Sequence, residues 1–202
     1  MKYSVILSMA LLIFLPFLLS IRNLNSIDSA NILEKGVSLI GIIFLTPVFY
    51  PEANDNILET VMSKKVSVAL IYIIRILASL FFILLLTALF ALLMKHNNCK
   101  FEYFSYLFGT FSSAFFMGSI GIAFSAFTCN TATGYFASLI YYIFNYFAGK
   151  KLGLFYMFSM SENSFTEKYI LLVSAIIFVC AAIYFDNLKL FKSVTLIMRR
   201  HS

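Results

Sequence analysis

The sequence offers few of the residues from which catalytic and metal-binding sites are built. Among 202 residues there are only two histidines, His96 and His201, and neither stands with a cysteine or carboxylate at metal-ligand spacing. The HExxH, GxSxG and P-loop motifs are absent from the sequence. No acidic residue lies deep in a long apolar run, so a proton relay across a membrane lacks an evident carrier. We therefore expect that the protein is not an enzyme by itself.

Cysteine is also scarce, and the three cysteines predict no disulfide framework. Cys99 and Cys129 flank one apolar run, so they should lie on opposite sides of a bilayer. A disulfide needs Cα atoms within about 7 Å of each other, which excludes a bond between these two. Cys180 lies inside the last apolar run and is interpreted as a small buried hydrophobic residue.

Charge is sparse and apolar residues are abundant. Only 12% of the residues are charged, 61% are hydrophobic, and the mean hydropathy is +0.92. Apolar runs of about 18 residues or more recur, which is the length needed to cross about 30 Å of hydrocarbon. The formal net charge of +6 does not indicate nucleic-acid binding, because the lysines and arginines cluster at the ends of the apolar runs, where they anchor to headgroups. We predict an all-α, polytopic membrane protein.

The apolar runs predict six transmembrane helices in a single domain over residues 1–202. Their approximate bounds are 4–21, 31–49, 66–94, 101–127, 132–148 and 168–185. The first resembles a signal peptide but lacks a small-x-small cleavage site, so we expect a retained anchor. Residues 153–160 are apolar but too few to span, and they predict a possible re-entrant element. The positive-inside rule does not decide the orientation, because lysine and arginine divide equally between the two sides.

The segment between spans two and three has the pattern of a short interfacial helix. Asn56 and Glu59 stand three residues apart, which is the spacing of a capping box, and they predict a helix over about 57–65. The apolar side of this helix would carry Ile57, Leu58, Val61 and Met62, and the polar side Glu59, Thr60, Ser63 and Lys64. Such a helix would lie at the water interface and offer one face to a partner.

Arg75 lies within predicted span three, where a bare cation would be costly. Two interpretations stay open. The guanidinium could reach back to the lipid headgroups, or it could form an ion pair with Glu52 or Glu59 that fixes the interfacial helix on the span.

Two predicted spans carry distinctive faces. Span four has small residues in two sets, which predict close packing between two neighbouring helices. The sets are Ser105, Gly109 and Ser112, and Ala114, Gly118, Gly121 and Ser125. Span five has a polar face that could be an interfacial tyrosine belt, the lining of a pathway or a dimer interface. That face consists of Tyr135, Ser138, Tyr142, Asn145 and Tyr146.

The segment after span two resembles the type-2 class of ABC-transporter permeases. In that class the segment follows a pattern that Pro51, Glu52, Glu59, Ser63 and Lys64 fit. The resemblance implies a coupling helix that docks on a cytoplasmic ATP-binding subunit. The implied contact residues are Glu52, Asn56, Ile57, Leu58, Glu59, Val61, Met62 and Lys64. It also implies a tight cytoplasmic turn at 129–131, a re-entrant element between spans five and six, and cytoplasmic termini.

The function implied by the resemblance is that of the permease subunit of an ABC exporter for an amphipathic peptide, lipid or drug-like substrate. The chain would bind no cofactor directly, since ATP and Mg would bind to the partner ATPase. A second permease copy or a related chain would complete the pore in the cell membrane, in bacteria the plasma membrane. Two alternatives are a substrate-capturing subunit of a vitamin-type importer, which would copurify with a small molecule, and a non-transporting accessory protein. In the accessory protein, charge reversals over 57–65 would leave function untouched.

Overall fold

The structure, a computed structural model, describes residues 2–48 and 68–201, with side chains described for 3–48 and 69–186. All regular secondary structure in these ranges is helical. The α-helices are α1 (Lys2–Leu18), α2 (Ser26–Lys35), α3 (Ile40–Leu45), α4 (Val68–His96), α5 (Tyr103–Thr128), α6 (Thr131–Ala148) and α7 (Thr166–His201). Short 3-10 helices cover Val37–Leu39, 46–48, Gly149–Phe155 and Ser159–Glu162.

Within the described ranges, four helices are long and apolar enough to cross a membrane. They are Ser26–Val48, which joins α2 and α3, Ala69–His96, Tyr103–Thr128 and Thr166–Asp186. Helix α1 is apolar but shorter, and α6 has 18 residues but is not one of the four. The all-helical class and the suitability for a membrane are therefore confirmed. The count of six spans stays a prediction, and the predicted coupling helix over 57–65 lies outside the described residues.

Two helix boundaries differ from the sequence prediction. The stretch 22–30 lies between the first two predicted spans, yet α2 begins within it at Ser26, with Asp28 in the first turn, where a negative charge favours a helix N-terminus. At the other end of the chain, α7 does not stop near residue 185 but continues to His201. Its 36 residues extend over about 54 Å, well beyond the thickness of a hydrocarbon core.

Helix α5 is the centre of the bundle, because small residues let its neighbours approach closely. A Cβ atom added to Gly41 of α3 would lie 1.8 Å from the carbonyl oxygen of Ala114, so the two helices touch backbone to backbone. Elsewhere on α5, a Cβ atom on Gly109 would lie 2.1 Å from the Met160 sulfur. The prediction that span four packs between two neighbours is confirmed.

One end of the bundle, which we call the Val48 end, gathers Tyr3, Val48, the start of α4 and the α5–α6 turn. Tyr3, Val48 and Thr131 line one cavity there, together with Arg75, which lies two turns into α4. The turn is tight as predicted: Cys129 adopts a left-handed conformation (φ 54°), and the Asn130 side chain accepts a hydrogen bond from the backbone N–H of Ala132 at 2.9 Å.

The opposite end, which we call the Asn97 end, gathers the α1–α2, α4–α5 and α6–α7 connections. The Asn23 N–H donates to the Asn97 carbonyl oxygen at 3.1 Å, and the Lys100 N–H donates to the Leu24 carbonyl oxygen at 2.9 Å. The ring of Phe165 lies 6.1 Å from that of Tyr106, which brings the α6–α7 connection to this end.

The three cysteines are free thiols. The prediction that Cys180 is buried is wrong, because this residue lies on the outer face of α7. Ile176, Ile177 and Tyr184 of the same helix are also largely exposed. In a bilayer, this face of α7 would contact lipid.

Candidate functional site

Glu34 of α2 and Lys168 of α7 form an ion pair in the interior of the protein. The Lys168 Nζ lies 2.5 Å from the Glu34 Oε1, and neither side chain has any exposed surface. The two residues are 134 positions apart in the sequence, so only the folded bundle brings them together. Charged residues are almost never fully buried unless they are paired, which makes this pair the most unusual polar feature of the described side chains.

The ammonium group of Lys168 uses its full donor capacity. An ammonium has three N–H donors. Besides the Glu34 carboxylate, Nζ donates to the Ser113 Oγ at 2.7 Å and to the backbone carbonyl oxygen of Met157. Helix α5 and the α6–α7 connection therefore meet at the same cation.

The carboxylate of Glu34 also binds the α6–α7 connection. Its Oε1 also accepts a hydrogen bond from the backbone N–H of Met160 at 2.9 Å. The backbone N–H of Ser161 approaches the carboxylate at a looser geometry than a standard hydrogen bond, and Oε2 has no hydrogen bond of standard geometry. One carboxylate thus connects α2, α7 and residues 157–160.

Residues 157–160 form a segment inside the protein that is not α-helical: a turn at Met157 and Phe158 leads into the 3-10 helix Ser159–Glu162. Met157, Phe158, Ser159 and Met160 each have 2% exposure or less. Backbone of this kind in an apolar interior needs partners for its polar groups, because no water is there to bind them. Three side chains are among the partners: Asn145 Oδ1 accepts from the Met157 N–H at 2.8 Å, Lys168 donates to the Met157 carbonyl oxygen, and Glu34 accepts from the Met160 N–H. Backbone N–H groups of Ser164 and Asn163 donate to the carbonyl oxygens of Ser159 and Met160.

This buried segment overlaps the predicted re-entrant element at 153–160. The re-entrant interpretation stays a prediction. Nearby, burial raises the pKa of the Tyr156 phenol, and the negative charges of Glu162 and Glu34 act in the same direction. The phenol therefore stays neutral at physiological pH.

The predicted polar face of α6 turns mainly toward the chain itself. Ser138 and Asn145 have no exposed surface, and Ser138 Oγ donates to the Met117 carbonyl oxygen at 2.9 Å. Tyr142 donates its hydroxyl hydrogen to the Lys35 carbonyl oxygen at 2.9 Å. The hydrogen-bond partners of Ser138 and Asn145 are thus inside the bundle, and a role of these two residues in a pathway or dimer interface stays a prediction.

The other two residues of that face do have exposed surface. Tyr146 is exposed, and the Lys35 Nζ lies 5.4 Å from the centre of its ring. Tyr135 is partly exposed and lines the cavity at the Val48 end. For Tyr135 and Tyr146, a role in a pathway or dimer interface stays a prediction.

Arg75 reaches the Val48 end. Its Nη1 donates to the Val48 carbonyl oxygen at 3.4 Å, and its side chain is partly exposed. The predicted partners Glu52 and Glu59 lie outside the described residues, so the ion pair stays a prediction. The remaining predicted contacts with an ATPase also lie outside the described residues; they are Asn56, Ile57, Leu58, Val61, Met62 and Lys64.

The sequence analysis missed the Glu34–Lys168 pair. Glu34 was the fourth residue of predicted span two, and Lys168 was the first residue of predicted span six. Charges at span ends usually anchor to headgroups, so neither was singled out. The available signal was one acidic and one basic residue just inside two apolar runs, which is a pattern of charges that pair within a bundle.

Among the described side chains, those of residues 3–48 and 69–186, no group of three or more His, Cys, Asp or Glu residues is arranged to hold a metal ion. No protein family, no curated protein and no solved structure matches this chain. The interpretation of the site therefore depends on the geometry of the chain and on its sequence patterns.

Proposed function

We propose that the chain is the transmembrane permease subunit of an ATP-driven ABC transporter that exports an amphipathic peptide, lipid or drug-like substrate. The proposal includes two cytoplasmic ATP-binding-cassette subunits that bind ATP and Mg. It also includes a second permease copy or a related chain, and cytoplasmic termini in a cell membrane. The sequence pattern of Pro51, Glu52, Glu59, Ser63 and Lys64 supports it.

The observation that carries the proposal is the convergence of chain segments at the Val48 end. The described part of the chain stops at Val48, just after α3, and resumes at Val68, the first residue of α4, and Arg75 of α4 hydrogen-bonds to the Val48 carbonyl oxygen. The N-terminal Tyr3 and the α5–α6 turn at Thr131 line the same cavity of about 570 Å³. A segment that takes force from a soluble ATPase must begin and end on the same side of the membrane. A permease of this class would have its tight turn and its termini on that same side.

A mechanical path into the bundle begins at this end. Helix α4 packs on α3 through stacked rings of Phe44 and Phe82, whose centres are 5.9 Å apart. Helix α3 in turn contacts the α5 backbone at Ala114. A displacement of the segment between Val48 and Val68 would therefore move α3 and α4 against α5 as rigid elements, which is how packed interfaces convert a local shift into alternating access.

The Glu34–Lys168 pair has a different part in this proposal. It fixes residues 157–160 toward the Asn97 end, which would face outward. A firmly held segment there would close the outer side of the bundle while the Val48 end moves. The pair would act as a clamp on the outer segment and not as a proton carrier, because every N–H donor of Lys168 is used in the closed bundle.

A cross-linking experiment tests the proposal. A photo-reactive amino acid is placed at Leu58 or Met62 in the full chain, expressed in membranes of its source cells. The matched controls are Phe104 and Phe147, two exposed apolar positions toward the Asn97 end. We expect Leu58 and Met62 to capture a protein that mass spectrometry identifies as an ATP-binding-cassette subunit, and the controls to capture none. Capture of that subunit from the control positions, or of no ATPase at all, would refute the proposal.

A further inference from the structure

The span Ser26–Val48 changes its helical form near its middle. Helices α2 and α3 are separated there by the 3-10 helix Val37–Leu39. The Ile40 N–H donates to the Val37 carbonyl oxygen, three positions back, whereas in an α-helix it would donate to that of Gly36, four positions back. Gly36 itself has right-handed helical angles (φ −94°, ψ −61°), so no left-handed residue causes the change. A short 3-10 stretch within a helix often marks a hinge.

Two hydroxyl groups bind the carbonyl oxygens that precede the 3-10 helix. In an α-helix, the carbonyl oxygens of Glu34 and Lys35 would accept from the backbone N–H groups of Ser38 and Leu39. Here the Glu34 oxygen accepts from the Ser38 hydroxyl, and the Lys35 oxygen accepts from the Tyr142 hydroxyl of α6 at 2.9 Å. Side-chain hydroxyls compete with the backbone in this way. Each carbonyl oxygen therefore has a partner in the 3-10 form and another in the α form, so the two forms differ little in their hydrogen bonding.

Different contacts hold the two halves of this span. On the α2 side, the Glu34 carboxylate binds Lys168 and the Met160 N–H. On the α3 side, Gly41 packs against the backbone of Ala114 in α5. These contacts lie on opposite sides of residues 36–39 in the chain. A change of helical form at 36–39 would therefore turn α3 against α2 and leave the ion pair in place.

The neighbours of residues 36–39 include side chains that can move aside. Gly36 faces the Leu15 side chain of α1, whose Cδ2 would lie 2.5 Å from an added Cβ atom. The Ser38 Oγ lies 3.9 Å from the Met117 sulfur of α5. Methionine has several rotatable bonds and adapts to changes in the packing around it. The break therefore packs on flexible side chains, whereas the next contact along the span, at Gly41, is made with backbone atoms.

We infer that residues 36–39 interconvert between a 3-10 and an α-helical form in the folded protein, and that this switch turns α3 relative to α2. A 3-10 helix rises about 2.0 Å per residue with 3.0 residues per turn, and an α-helix about 1.5 Å with 3.6. Each residue that converts to the α form shortens the span by about 0.5 Å and turns α3 by about 20°. Three residues give about 1.5 Å, which is a usual size for helix shifts in conformational transitions. The switch is independent of the proposed transport function.

The first test compares two pairs of spin labels in the full chain, with the native cysteines replaced by alanine and the protein in lipid nanodiscs. One pair, Asp28→Cys/Ile43→Cys, brackets the break, and the control pair, Leu77→Cys/Leu92→Cys, has the same 15-residue spacing within continuous α4. At this spacing the switch of three residues changes the distance between labels by about 3 Å, through both the shortening and the turn. Double electron–electron resonance should give a distribution broader by about 3 Å for the first pair. Equal widths would overturn the inference.

The second test removes the hydroxyls that favour the 3-10 form. Ser38→Ala and Tyr142→Phe each leave a backbone N–H as the natural partner of the carbonyl oxygen, so each should narrow the distribution across the break and shift it by up to about 3 Å to shorter distances. Tyr141→Phe is the control on α6, because the Tyr141 hydroxyl donates to the Phe155 carbonyl oxygen. If both variants leave the distribution unchanged or move it to longer distances, the hydroxyls only complete a fixed break and the inference is wrong. A shift of equal size in Tyr141→Phe would also overturn it.

Discussion

Lys168 binds Glu34 and the Met157 carbonyl oxygen with the same ammonium group, so one cation connects two distant helices and the buried segment 157–160. Removing one member of a buried pair leaves an uncompensated charge, which costs about 3–5 kcal/mol. We predict that Lys168→Met lowers the free energy of unfolding by about that amount, measured by denaturant unfolding in detergent micelles.

A double variant distinguishes the loss of the ion pair from the loss of the packing around it. Glu34→Gln/Lys168→Met removes both charges, so most of the lost stability should return. Lys151→Met is the control, since this exposed lysine should change the free energy of unfolding by less than about 0.5 kcal/mol. A double variant no more stable than Lys168→Met would mean that the ammonium matters through Met157 and Ser113 and not through Glu34.

Asn145 supplies the hydrogen-bond acceptor for the Met157 N–H. Asn145→Leu would leave that buried N–H without a partner, at a cost of about 1–3 kcal/mol. We predict faster amide hydrogen exchange over 157–160 in this variant, measured by mass spectrometry. Ser138→Ala is the control on the same helix, because Ser138 bonds to Met117 and does not touch the segment. Equal exchange in the two variants would show that other contacts hold the segment.

Gly36 and Gly41 lie in the same predicted span but pack against different atoms. A Cβ atom on Gly41 would meet three backbone atoms of Ala114, the nearest at 1.8 Å. One on Gly36 would meet the flexible side chain of Leu15 at 2.5 Å and the Ile32 carbonyl oxygen less closely, at 2.9 Å. We predict that Gly41→Ala lowers the midpoint of thermal unfolding more than Gly36→Ala, at a cost of about 1–3 kcal/mol or more, because a backbone cannot move aside as a side chain can. The reverse order would indicate that α3 shifts easily along α5.

Glu59 is the acidic residue of the predicted coupling helix over 57–65, and we propose that it contacts the ATPase. We predict that Glu59→Lys, in the complete transporter in liposomes, uncouples ATP hydrolysis from transport, measured as substrate moved per ATP hydrolysed. Glu102→Lys is the matched control, since Glu102 is exposed at the Asn97 end. Normal transport by the Glu59→Lys protein would count against the coupling role of 57–65.

The helices were largely predictable, because long apolar runs have few alternatives in a bilayer. Helices α1, α4, α5 and α6 follow those runs to within a few residues. The start of helix α2 was not predicted, because Ser26–Ala30 contains polar residues that are typical of a loop. Only the folded bundle shows that some of them are buried. The close packing of α5 was predictable from the spacing of its small residues, which directly limits how near two backbones come.

The polar contacts were much less predictable. The polar face of α6 was recognised, but its partners are residues of the same chain, the Met157 backbone and the Lys35 carbonyl oxygen. The Glu34–Lys168 pair depends on a contact between positions that are distant in sequence. A single sequence indicates which groups need partners in an apolar medium, while the choice of partner depends on tertiary packing.

The separation of Glu34 and Lys168 has a consequence for how the protein is made. A ribosome that adds about 5–20 residues per second needs about 7 to 27 s to advance the 134 residues between them. Throughout that interval the Glu34 carboxylate has to remain hydrated, take up a proton or pair with another cation. The assembly of α2 with the 157–160 segment is therefore a late event in biogenesis, completed only after the start of the last helix has emerged.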